Sequence, residues 1–144
     1  MLTRILVAIP SLVLGLLLLI QIVPYGRAHT NPPDTGEPKW DSPRTRELVV
    51  QACYDCHSNH TVYPWYSNIA PTSWLTQHDI DEARSYLNFT DWARKDQAGK
   101  EAAGMVSKKA MPKSPYPIMH PEARLSDSER DELVKGLEAT FGKK

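Results

Sequence analysis

Apolar and polar positions split the chain into stretches of very different character. From Ile5 to Val23 almost every position is apolar, interrupted only by Pro10, Ser11, Gly15 and Gln21, and none is charged. Such a run lies between a signal-peptide core, about 7 to 15 residues, and a spanning helix of about 20. Its length favours a retained N-terminal transmembrane or signal-anchor helix over residues 1–27, because Pro24, Tyr25 and Arg27 crowd the cleavage position that Gly26 and Ala28 would offer. Residues 28–41 are polar and proline-rich and predict an extended stand-off linker. The rest, 42–144, forms a separate domain.

Within that domain the periodicity is helical and no strand pattern appears. Ser42 before Pro43 starts a helix whose apolar positions Leu48, Val49 and Ala52 run into Cys53, so the two cysteines fall at a helix end. Thr72 is positioned to cap a helix through about Leu87, and Thr90 another from Asp91 towards Lys109. Proline dominates from Pro112 to Pro121. Ser126 and Glu129 form a capping box ahead of Leu133, Val134, Leu137 and Phe141, which share one face of a final helix.

Composition adds one constraint. With the apolar N-terminus set aside and twelve prolines in 144 residues, a core of side chains alone is thin, and small domains of this kind recruit disulfides, metals or cofactors. Two cysteines allow at most one disulfide. Charge cancels at 17 basic against 17 acidic residues, and excluding Arg4 and Arg27 leaves the remainder slightly acidic, so no nucleic-acid partner is indicated.

The chemistry is carried by Cys53-Tyr54-Asp55-Cys56-His57, a C-x-x-C-H signature of covalent haem attachment. Cysteines three apart on a helical turn present both thiols to one side, where they add to two vinyl groups of a single haem, and His57 follows as proximal iron ligand. Two other readings are weaker. Zinc needs about four ligands, and His60 is the only nearby fourth; a thioredoxin-like pair wants a strand context that is missing. Because haem c is attached outside the cytoplasmic membrane, the motif places the domain on the periplasmic or extracytoplasmic side.

The stretch CYDCHSNHTVYPWYSNIAPTSWLTQHDIDEARSYLNFTDW, with IVPYGRAHTNPP and WDSPRTRE before it and HPEARLSDSERDEL after it, resembles the haem-binding domain of membrane-anchored, single-haem bacterial c-type cytochromes. The resemblance implies an all-α, cytochrome c-like fold with the haem site near its first helix and a methionine in an MP-type loop as sixth ligand. This chain has Met111-Pro112-Lys113 there, without the second proline typical of that loop. Read from the residues, Met111 follows a basic helix, precedes a proline that stiffens the backbone, and lies 54 positions beyond His57; Met105, Met119, His78 and His120 compete with it for the distal position.

The expected function is one-electron transfer by a six-coordinate haem rather than catalysis. A five-coordinate sensor of gas or peroxide is the alternative, distinguished by whether a methionine fills the distal site. Membrane-bound or periplasmic redox partners are expected. The basic cluster Arg94, Lys95, Lys100, Lys108, Lys109 and Lys113 suits an acidic partner docking near Lys108 and Lys109. Trp65, Tyr66, Trp74, Tyr86, Phe89 and Trp92 read as core packing, with a haem face as a surface open to them, His78 as a surface residue, and His60 as a loop residue with a propionate contact as its functional option.

Overall fold

The computed structural model describes residues 2–143, so Met1 and Lys144, the outer ends of the expected anchor and domain, lie outside it, as do the side chains of Leu2, Thr3 and Ile5. Helices α1 (Leu2–Ile20), α2 (Pro43–His57), α3 (Thr72–Tyr86), α4 (Gly99–Ser107), α5 (Tyr116–Met119) and α6 (Asp127–Phe141) are joined by loops, with 3-10 turns at Trp65–Asn68 and Pro121–Ala123. Among the described residues there is no strand, only one isolated parallel bridge between Gly36 and Asp91. The protein is a small all-helical domain. The chain forms two compact units, Met1–Thr30 with Tyr63–Asp79, and Asn31–Val62 with Ile80–Lys144.

In the first unit α1 exposes apolar side chains around its whole circumference, among them Leu12, Val13, Leu14, Leu18 and Leu19. It stops at Ile20, short of the expected Val23, where Gln21 takes over as a polar tie. Its amide donates to Leu17 O at 2.9 Å and Ala70 O at 2.8 Å, while its Oε1 accepts from Ala70 N at 2.9 Å and Arg27 at 2.8 Å. Gly26, at φ +81°, passes so close to the Ser73 carbonyl that a Cβ there would lie 2.1 Å from its oxygen. Among the described residues no helix is long and apolar enough to cross a membrane, so the spanning anchor over 1–27 is not established.

The second unit is built on α2, α4 and α6. Ser42 caps α2 by accepting from Thr45 N at 3.1 Å, with Pro43 in the first turn where its missing N–H costs nothing. The Ser126–Glu129 capping box forms in full and starts α6. Leu48, Val49, Ala52 and Tyr54 of α2 pack with Ala103 and Val106 of α4, Leu133 and Leu137 of α6, and Leu87, Phe89 and Leu125 between them. The α2–α6 crossing is close: a Cβ on Gly136 would sit 2.0 Å from Thr45 Oγ1.

Two expectations are corrected here. Thr90 caps no helix, because its fully buried hydroxyl accepts from Asn59 N at 2.7 Å and donates to Asn88 Oδ1 at 3.2 Å, and α4 begins only at Gly99. Of residues 28–41, expected as a stand-off linker, 31–41 belong to the second unit. Thr35 N donates to Thr90 O at 2.9 Å, Trp92 N to Gly36 O at 3.2 Å, and Trp40 packs against Phe89 and Phe141. Glu37 locks this strap to α2 through two 2.6 Å bonds from Arg46, with a third from Trp40 Nε1 at 2.8 Å.

Three consequences are measurable. Gly136→Ala gains helix propensity but forces α2 and α6 apart, so denaturant unfolding should show a loss of about 1–3 kcal/mol. Gly104→Ala in α4, with nothing within 4 Å of the new Cβ, should be neutral or stabilising by up to about 1 kcal/mol. The Arg46 guanidinium, aided by Trp40, holds the Glu37 carboxyl down from 4.5 to about 2 against the opposing pull of partial burial. A lowered pKa adds stability that is complete above about pH 4.5 and disappears as pH falls through about 2. Unfolding free energies from urea titration of the parent and Glu37→Gln should therefore differ by about 1 kcal/mol at pH 6 and converge near pH 2.

Candidate haem site

The C-terminal end of α2 carries Cys53, Cys56 three positions on and His57 next to it, both cysteines half-buried and outside any disulfide. Burial pushes the Cys53 thiol up to about 12, with the neighbouring Cys56 adding to the effect. The helix ends abruptly after His57. Ser58 turns extended, its hydroxyl donating back to Tyr54 O at 2.7 Å and accepting from His60 N at 2.9 Å.

His57 is held by the segment that follows α3. Its Nδ1 lies 2.9 Å from the Leu87 carbonyl, and its own carbonyl accepts from Phe89 N at 2.8 Å. A carbonyl can only accept, so Nδ1 carries the proton and Nε2 keeps the lone pair a metal would need. Burial lowers the pKa of the ring, against the weaker opposing pull of the Leu87 and Ala83 carbonyls, which keeps the imidazole neutral. The loop after the histidine is pinned from the same side: Arg84 donates to Ser58 O at 2.9 Å and Thr61 Oγ1 at 2.9 Å, and Asn88 Nδ2 to Asn59 Oδ1 at 2.8 Å.

The proline-rich segment reaches the motif through Asp55. One carboxylate oxygen accepts a short hydrogen bond from the Tyr116 hydroxyl and the other accepts from Val62 N at 3.1 Å. Burial and Asp55 together raise the Tyr116 phenol well above its ordinary pKa. Tyr116 stacks on His120 at 4.1 Å, His120 Nδ1 pairs with Glu122 at 3.0 Å, and Gln51 donates to the Glu122 carbonyl at 3.0 Å. The stretch from Tyr116 to Glu122 thus lies along α2 beside the cysteines.

Met111 is half-buried ahead of that stretch, its N–H donating to Met105 O at 3.2 Å and its carbonyl accepting from Arg130 at 3.4 Å. None of these bonds ties it to His57. Of the competitors, Met119 is 59% exposed, Met105 projects partly into solvent from α4, and His78 is exposed on α3. Lys108 ends α4, and Lys109 pairs at 3.3 Å with Asp127 on the surface. His60 pairs with Asp34 at 2.6 Å. Among the described residues no group of three or more His, Cys, Asp or Glu is placed to hold a metal ion unaided. Core packing holds for Phe89, buried in the core, and for Trp92, packed on Phe141, but Trp65 and Tyr86 are exposed.

The family described as the haem-binding domain matches residues 15–139. The chain belongs to the haem-binding domain family. It is a haem-binding protein. Comparison with curated proteins and with solved structures found no match. The donor set fits the group: two thiols one turn apart and outside any disulfide, then a neutral imidazole with Nδ1 already committed to a carbonyl.

Three participants were missed from sequence: Leu87, which acts through its backbone, Asp55, and Tyr116. The last pair carried a faint signal, an acid inside the motif and a tyrosine in the proline-rich loop. Tyr116→Phe removes a bond to a carboxylate and should lower stability by about 1.5–3 kcal/mol in denaturant unfolding. It should also raise cleavage of the 111–120 segment in limited proteolysis.

Proposed function

We propose that this haem-binding protein is a monohaem c-type cytochrome that carries single electrons outside a bacterial cytoplasmic membrane. The observation that carries the reading is the pairing of two thiols on the last turn of α2 with a His57 held neutral and Nδ1-protonated by Leu87 O. Cys53 and Cys56 bind one haem through thioethers, and His57 Nε2 is its proximal ligand. The bound haem supplies an iron centre that gains and loses one electron. The chain's own contribution would be to hold the His57 imidazole through the Leu87 carbonyl and to offer the iron a further donor.

Met111 is proposed as that ligand. Support comes from its half-buried setting five residues ahead of the segment that Tyr116 draws onto the motif, whereas Met119 is open to solvent. Histidine–methionine ligation raises the potential and closes the iron to exogenous ligands, which suits a carrier rather than an enzyme. The domain is proposed to sit at the membrane through α1, whose all-round apolar surface is unsuited to water. Lys108 and Lys109 are proposed to steer an acidic redox partner, since both project from the exposed end of α4.

Two measurements test this. Haem should stay with the chain through denaturation and acid-acetone extraction, and Cys53→Ala with Cys56→Ala should release it; extractable haem in the parent would overturn covalent attachment. Met111→Ala should abolish the far-red thioether-to-iron band of the ferric form, lower the potential and admit carbon monoxide. The same losses in Met119→Ala, with Met111→Ala unaffected, would move the ligand eight residues on.

A further inference from the structure

The unit formed by residues 1–30 and 63–79 has a surface that the haem does not explain. Its loop and the chain just beyond α1 expose Ile22, Val23, Tyr25, Trp65, Ile69 and Leu75, with Trp65 74% accessible. These side chains are not scattered along an independent loop. Gln21, the first residue past α1, holds the loop by a reciprocal pair of bonds with the Ala70 backbone at 2.8 and 2.9 Å. Ala70 is itself buried, between exposed Ile69 and the turn that opens α3.

Charge points to the occupant. Of the 17 acidic residues in the chain, this unit contains Asp79 alone, at its very end, alongside Arg4 and Arg27. A surface of tryptophan, tyrosine and aliphatic side chains nearly free of carboxylates, set at the polar end of an apolar helix, matches the interfacial zone of a bilayer. Tryptophan suits that zone because its indole is apolar in body and polar at one edge.

We infer that the 63–75 segment, a loop and the first turn of α3, is a lipid-binding collar: Trp65, Ile69 and Leu75 enter the headgroup and upper acyl region of an anionic membrane at the level where α1 ends. Gln21 is the positioning residue that keeps the collar at that depth. The inference rests on the proposed residence of α1 in lipid, and it requires only that the helix be embedded, not that it cross.

The full-length holoprotein is reconstituted into phosphatidylcholine–phosphatidylglycerol vesicles whose acyl chains carry a photoactivatable diazirine, and adducts are located by mass spectrometry. Adducts in both α1 and the 65–75 peptide are expected. Gln21→Leu, checked for an unchanged haem spectrum, should keep the α1 adducts and lose those of the loop. Adducts in α1 alone in the parent protein would overturn the collar while leaving membrane attachment intact. Adducts in neither would overturn the attachment and the collar together. Loop adducts that persist undiminished in Gln21→Leu would remove Gln21 from its positioning role.

Discussion

The hydrogen bond from His57 Nδ1 to the Leu87 carbonyl is the interaction on which the haem site depends. Imidazole can present a lone pair on either nitrogen, and in water it would sample both tautomers and, below neutrality, neither. Here the 2.9 Å bond assigns the proton to Nδ1, and burial keeps a second proton off. The same segment returns Phe89 N to the His57 carbonyl and Thr90 Oγ1 to Asn59 N. The end of α2, the orientation of the His57 ring and the course of the chain after α3 are therefore set by one cluster of bonds. Loosening any of them would loosen the imidazole.

That cluster also accounts for how the second unit is assembled. Phe89 is buried against Tyr54 and Trp40, so the segment that holds the histidine is itself held by α2 and by the strap of residues 31–41. Glu37 and Arg46 clamp the strap, and the close α2–α6 crossing at Gly136 fixes the helix that carries the cysteines. On its other flank Asp55 collects Tyr116 and with it the proline-rich stretch. A core that looked thin in composition is supplemented by polar ties placed around the motif.

Much of this was legible in the sequence where the signal is local. The Ser42–Pro43 start, the Ser126–Glu129 box, the absence of strand alternation and the C-x-x-C-H spacing each depend on residues a few positions apart. The failures have the opposite property. Thr90 reads as a cap until Asn59, 31 positions earlier, is found on its hydroxyl. The proline-rich strap reads as a linker because backbone pairing with Thr90 and Trp92 leaves no mark on side-chain pattern, and Leu87 contributes a carbonyl that any residue would have. Trp65 and Tyr86 were assigned inward on chemistry alone, although aromatic residues are equally at home where an apolar body meets a wet edge.

The central claim is that His57 reaches the iron as a neutral imidazole whose proton is locked on Nδ1 by Leu87. The direct test is nitrogen-15 NMR of the histidine-labelled, ferrous, diamagnetic holoprotein at neutral pH. One ring proton on His57 Nδ1, slow to exchange with solvent, and an Nε2 shift characteristic of iron ligation are expected. A proton on His57 Nε2, or a ring proton exchanging as fast as those of exposed His78, would contradict the account.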